Sequence, residues 1–182
     1  MELDDMLTAD AVDTKNLLNE SRISEDSKRV EQVMLNLGYE VVSEKEKLSL
    51  RVKKGKTEYT ITAYEDVNIS NETIAIPIHT EGSSNLPNLF NTVTDCIAVY
   101  NKFYDGGTVF QFKTSELQKA LKNIVDKMLA DKKFSLYPDK AAANKQCYVY
   151  YNREKDTYLY YVFVPVDKIC NIVKNSKRKV NG

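Results

Sequence analysis

The stretch 146–165, QCYVYYNREKDTYLYYVFVP, limits the fold more than any other part of this chain. Two runs of β-branched and aromatic residues, 147–151 and 158–164, flank the polar connection Asn152-Arg153-Glu154-Lys155-Asp156. That is the composition of a β-hairpin. Six of the twelve tyrosines lie here, so this hairpin sets how the rest must pack. Side chains alternate across a strand, which puts Tyr148 and Tyr150 on one face and Cys147, Val149 and Tyr151 on the other. Tyr158, Tyr160, Val162 and Val164 likewise oppose Leu159, Tyr161 and Phe163. Both faces are apolar, which suits a central pair covered on both sides or a pair with one face open as a contact surface.

The chain is long enough for a folded core: 182 residues, 42% hydrophobic and 29% charged, an ordinary globular balance. No apolar run approaches the roughly 18 residues of a membrane span, and the start, Met1-Glu2-Leu3-Asp4-Asp5, is acidic where a signal peptide is basic. A cytoplasmic location and no membrane partner are expected. Three cysteines, Cys96, Cys147 and Cys170, stand far apart in apolar contexts and read as reduced, buried thiols. The net charge of zero hides a division. Residues 1–106 hold 11 Lys and Arg against 19 Asp and Glu, and residues 107–182 hold 15 against 7. Such a split suits an internal ion-paired interface, self-association, or separate acidic and basic faces for different partners.

Along the chain, residues 1–22 read as an acidic arm. A helix capped by Ser24 follows, with Val30, Val33, Met34 and Leu37 at helical spacing before Gly38. Strands are expected over 39–43, 48–53, 57–64 and 73–79 as an antiparallel meander, with Leu48, Leu50 and Val52 on a dry face and Ser49, Arg51 and Lys53 on a wet one. Leu86-Pro87 opens an expected helix whose stripe is Leu89, Phe90, Val93, Ile97, Tyr100 and Phe103/Tyr104, broken by Asp105-Gly106-Gly107. A strand over 108–113, a helix capped by Ser115, a short strand over 134–137, an exposed connection or short helical turn over 138–145, the hairpin and a last helix from Pro165 complete the order. The class is α+β, with antiparallel sheets and helices packed on one side. The expected organisation is the arm over 1–22, one domain over 23–175 that admits lobes at 23–105 and 106–175 sharing a core, and a basic tail over 176–182.

No local catalytic signature is present. The single histidine, His79, has no nearby cysteine or second histidine, and neither a dinucleotide fingerprint nor a phosphate loop occurs, so no cofactor and no metal are expected. The helix carrying Glu31, followed by Gly38-Tyr39-Glu40-Val41, resembles the opening of restriction-endonuclease-like nucleases. That resemblance implies a divalent-metal nuclease with Glu31, Glu58 and Asp66 as its carboxylates. Lys119, Lys122, Lys177, Arg178 and Lys179 offer phosphate contacts, and Tyr148, Tyr150, Tyr158 and Tyr160 offer stacking surfaces for unpaired bases or a protein-binding face.

Small size, a Lys/Asn/Tyr bias and the absence of enzyme motifs resemble, over the whole chain, type II-A anti-CRISPR proteins carried by phages and mobile elements of Firmicutes. The resemblance implies a non-enzymatic inhibitor that binds the type II CRISPR effector nuclease or its guide-loaded complex. Asp4 and Asp5 would then stand in for phosphates in a basic channel. Self-association through the tyrosine hairpin, as a homodimer, is a further expectation.

Overall fold

The computed structural model describes residues 20–46, 49–64, 69–82, 87–153, 156–172 and 177–179. The first helix among the described residues, α1 (Glu20–Asn36), buries Val30, Val33 and Met34 along one stripe, each worth about 1.5–3 kcal/mol when removed from water. It ends at Gly38, where φ is +82°. Gly38 N–H donates to Leu35 O at 2.9 Å and Tyr39 N–H to Met34 O at 3.0 Å, the paired bonds of a helix stop that only a left-handed residue permits.

Strands β1 (Glu40–Glu46), β2 (Ser49–Lys54) and β3 (Thr57–Tyr64) form the expected meander. The next strand, β4 (Thr73–Gly82), does not join them. It pairs instead with β9 (Thr157–Pro165), which pairs with β8 (Cys147–Asn152), and β8 takes β7 (Phe134–Ser135) on its far side. The first sheet is completed by β5 (Cys96–Asn101), β6 (Thr108–Lys113) and β10 (Lys177–Lys179), in the order β1-β2-β3-β5-β6-β10; the second has the order β4-β9-β8-β7. Both sheets are mixed, because β3 runs parallel to β5 and β7 parallel to β8. Among the described residues three more helices follow, α2 (Thr114–Ala130), α3 (Pro138–Asn144) and α4 (Val166–Ile172).

The layers follow from strand alternation. Ile97, Val99, Phe110 and Phe112 of the first sheet meet Ile74, Ile76, Val149 and Val162 of the second across a common core, with Leu117, Leu121 and Val125 of α2 filling its side. The opposite face of the first sheet, with Leu50, Val52, Ile61 and Ala98, is covered by α1. The outer face of the second, with Tyr148, Tyr150, Tyr161 and Phe163, is covered by Ala141 and Ala142 of α3. The α+β class stands, but helices lie on the outer faces of both sheets rather than on one side.

The helix expected from Pro87 is the clearest departure. Residues 89–91 form one hydrogen-bonded turn, closed by Thr92 N–H to Asn88 O at 3.1 Å, residues 92–95 are irregular, and Cys96–Asn101 is a central strand buried on both faces. A strand covered on both sides shows a continuous apolar run, which a helical window reads as a stripe. Asn88, Thr92 and Thr94 bond neighbouring backbone through their side chains, an alternative to helix that such residues favour. The segment 138–145 takes its helical alternative as α3, and one smaller departure is the expected basic tail, of which 177–179 form an edge strand on β6.

The wet face expected for β2 is present. Arg51 and Glu58 pair at 3.6 Å there, both about a third or more exposed, so the pair adds little to stability. The open edge of β4 is blunted by Pro77, which has no N–H to offer, and by a bulge at Ile78, between Pro77 and His79.

Candidate functional site

The hairpin strands are the interior of the second sheet. Tyr148, Tyr150 and Tyr160 are no more than 5% exposed, and only Tyr158 and Tyr151 are half-buried. The hairpin therefore takes the arrangement covered on both faces, and neither open base-stacking rings nor a self-association face is available at those three tyrosines. Tyr148 and Tyr150 lie against α3, whereas Tyr160 faces the central core. Burial pushes the Cys147 thiol up to about 11, the state of an unreactive core cysteine.

Two of the three carboxylates suggested for a nuclease, Glu31 and Glu58, are not brought together. Glu31 is on α1, on the outer side of the first sheet, while Glu58 alternates with Tyr59, which packs toward α1, and so points to the opposite face. Asp66 lies outside the described residues, as do Asp4 and Asp5. Among the described residues no three His, Cys, Asp or Glu side chains are grouped to hold a metal ion. Lys119 and Lys122 are exposed on α2, with Lys122 paired to Asp126 at 3.1 Å. Lys177, Arg178 and Lys179 are the backbone of β10.

What the sequence did not point to is the loop 87–95. Its outer side carries Phe90, 40% exposed, and Val93, 96% exposed. Lysine ammoniums lie over the three most exposed aromatic rings: Lys122 over Phe90 at 5.9 Å, Lys102 over Phe103 at 5.0 Å and Lys140 over Tyr137 at 4.7 Å. Such stems shield apolar rings from water, but a valine has no such partner chemistry.

The loop is nevertheless tightly held. Its even-numbered threonines reach down to β3: Thr92 to the Tyr64 hydroxyl and Thr94 to Thr62, both at 2.7 Å. Asp95 Oδ2 accepts from Thr60 N–H at 2.8 Å and from its hydroxyl at 3.0 Å. From α2, Gln118 Nε2 donates to Leu89 O at 2.8 Å and Thr92 O at 3.2 Å. Leu89 N–H donates to Pro77 O at 2.6 Å, and Asn88 Nδ2 to the Thr80 hydroxyl at 3.2 Å. Alternation within this braced segment turns Val93 outward because Thr92 and Thr94 are turned in. Replacing Asp95 with alanine is expected to cost about 1 kcal/mol in denaturant unfolding and to speed hydrogen exchange at the Thr60 amide, which loses its acceptor.

Beside the loop anchor at Thr80 lies a second feature. The bulge at Ile78 shifts the register by one, so that His79 faces Tyr160 and Glu81 faces Tyr158. Tyr151 of β8 faces Tyr158 from the other side, giving the row Glu81–Tyr158–Tyr151 across three strands. Tyr160 donates to Glu81 Oε2 at 3.0 Å, and His79 Nε2 is 3.3 Å from Glu81 Oε1. Burial, and then the bond to Glu81, raise the Tyr160 phenol well above its usual range, so it remains the donor. Tyr151 stacks on Tyr158 with centroids 4.5 Å apart and donates to Asp156 Oδ1 at 2.8 Å. His79 thus has a carboxylate neighbour, but among the described residues no serine or cysteine nucleophile is bonded to it.

No family model matches the chain, no curated protein matches it, and no solved structure matches it. Among the described residues no helix is long and apolar enough to cross a membrane.

Proposed function

We propose that this chain is a non-enzymatic binding protein that engages a protein partner through the loop 87–95. The observation that carries this reading is Val93, almost fully exposed on a segment pinned to β3, β4 and α2 by side-chain and backbone hydrogen bonds. A rigid apolar tip loses little conformational entropy on binding, which is the property of a preorganised contact. Phe90 adjoins it, and aromatic anchors beside aliphatic ones are the usual centre of an interface.

The partner proposed is a nucleic-acid-processing protein, which the resemblance to type II-A anti-CRISPR proteins narrows to the type II CRISPR effector nuclease or its guide-loaded complex. Binding there would make this chain an inhibitor. The test is co-elution of the protein with a guide-loaded type II effector and inhibition of target cleavage, with the double variant Phe90→Ala, Val93→Asp as control. The expected result is complex formation and inhibition by the wild-type chain and a loss of about tenfold or more in affinity in the variant, at an unchanged unfolding midpoint. No complex with the effector removes that partner, and a variant that binds as well as wild type removes the loop. A mobility shift with DNA or RNA alone would move the assignment to nucleic-acid binding.

A further inference from the structure

We infer that Lys132 and Lys145, with Lys133 beside them, form a binding site for a phosphomonoester group. The site is separate from the loop 87–95 and does not depend on it. Among the described residues, the non-glycine positions with a left-handed backbone are Asp105, Lys132, Lys145 and Asp156. Aspartate tolerates that region because its short side chain bonds local backbone, and lysine has no such compensation. Yet φ is +49° at Lys132 and +53° at Lys145. The two lysines occupy the same place in two copies of one device. At the end of α2, Lys132 N–H donates to Leu129 O and Lys133 N–H to Met128 O, both at 3.2 Å; at the end of α3, Lys145 N–H donates to Ala142 O at 3.2 Å and Gln146 N–H to Ala141 O at 2.8 Å. Each is the helix stop whose left-handed position glycine usually takes. Each stop runs into a strand of the second sheet, and those strands, β7 and β8, are parallel neighbours with Phe134 opposite Cys147. Lys132 and Lys145 both stand two residues ahead of that pair, at the starts of strands that lie about 4.8 Å apart.

Local stability argues against this placement. A positive charge does suit a helix C-terminus, but Lys127 in the last turn of α2 and Lys133 after it supply that charge without a left-handed backbone. Like charges at neighbouring strand positions repel. Strain kept at two matched positions is the mark of residues held for a ligand. Lys127, Lys132, Lys133 and Lys145 are all exposed, and none is ion-paired with a described carboxylate. Asp131, exposed just before Lys132, and the half-charges at the two helix ends oppose an anion with about two negative charges against these four positive ones. The surplus of about two matches a phosphomonoester, which carries about −1.5 to −2 at pH 7. A backbone phosphodiester carries only one. The ammonium is a compact point charge and binds phosphate without the planar fork that carboxylates favour.

The experiment is an NMR titration of the full chain at constant ionic strength, followed at the amide signals of Lys132, Lys133, Lys145 and Gln146. The probes are inorganic phosphate, an oligothymidylate with a 5′-phosphate and the same oligothymidylate with a 5′-hydroxyl. Saturable shifts of these amides are expected with inorganic phosphate, and the phosphorylated oligonucleotide should bind about fivefold or more tighter than the hydroxyl form. If it also binds more tightly than inorganic phosphate, the ligand is a nucleic-acid terminus; if not, it is a small phosphate compound. Equal affinity for the two oligonucleotides would mean that backbone diesters are bound, and overturns the assignment. The double variant Lys132→Gly, Lys145→Gly should lose at least about fivefold in phosphate affinity yet unfold at an equal or higher denaturant midpoint, because glycine relieves both left-handed positions. Lys28→Gln with Lys56→Gln removes the same charge elsewhere and should bind as wild type does. Unchanged binding in the glycine variant, or an equal loss in the control, overturns the site. A lowered midpoint in the glycine variant would make the two lysines stabilising helix caps, and overturns it as well.

Discussion

Tyr150→Ala combined with Tyr160→Ala is expected to unfold the protein rather than to impair binding by a folded one. The two rings lie on opposite faces of β8–β9, Tyr150 against α3 and Tyr160 in the central core, and neither is more than 5% exposed. Truncating a large buried aromatic costs about 3–5 kcal/mol, and rings on opposite faces share no cavity, so the losses add to about 6–10 kcal/mol. That equals most or all of the 5–15 kcal/mol that holds a typical domain folded. Tyr160 also gives up its bond to Glu81 and its edge-on contact with Phe134, whose centroid is 5.8 Å away. Near-ultraviolet circular dichroism of the double variant should lose its aromatic signal, and the far-ultraviolet spectrum should lose its strand content. Tyr160→Phe, which keeps the ring, should stay folded and lose about 1 kcal/mol. A native spectrum and an unshifted denaturation midpoint in the double variant would place these rings on the surface and refute the packing described above.

Gly82→Ala should produce the second large effect, about 2–4 kcal/mol of destabilisation. Two costs combine. At φ +114° an L side chain is strained, and the added Cβ would meet Asp156 O at 2.0 Å, Asp156 C at 3.0 Å and Thr157 Cα at 3.0 Å. These are backbone atoms of the β9 strand and its turn, so no side chain can rotate away; the end of β4 must move instead. Gly55 supplies the comparison, since it has φ +60° and open space around the missing Cβ. Gly55→Ala carries only the backbone term, about 1 kcal/mol. Denaturant midpoints of the two variants measure the difference. If Gly82→Ala is no more destabilising than Gly55→Ala, the close approach of β4 to Asp156 does not exist.

Local patterns were readable wherever one face of an element meets water. The α1 stripe with its glycine stop and the dry and wet faces of β2 are of this kind, because a fixed period of 3.6 or 2 leaves a trace when only one side is buried. The hairpin was equally plain from its β-branched and aromatic runs. Cys96–Asn101 shows the limit. Once both faces are buried the alternation disappears, and an apolar central strand cannot be told from a buried helix by its spacing.

The candidate surface was less legible than the fold. Helical spacing places Phe90 and Val93 on a buried stripe, and only the hydrogen bonds of Thr92, Thr94 and Gln118 turn them outward. The tyrosines stand out as a set, but nothing in their alternation ranks Tyr158 above Tyr150 for exposure; the α3 cover and the core decide that. His79 and Glu81 gain their neighbours from a one-residue bulge, which no period anticipates.

The sequence by itself determined the α+β class, the amphipathic first helix, the tyrosine hairpin and the division of charge between the two halves. These follow from side-chain type and near-neighbour spacing, which act within a turn or a strand. Only the tertiary structure decided that β4 leaves the meander for the hairpin's sheet, that β5 is a strand parallel to β3, and that Val93 reaches the surface. Each depends on pairings between residues far apart in the chain. A side chain's own chemistry names what it can bond or bury, and the fold alone decides which partner stands opposite it.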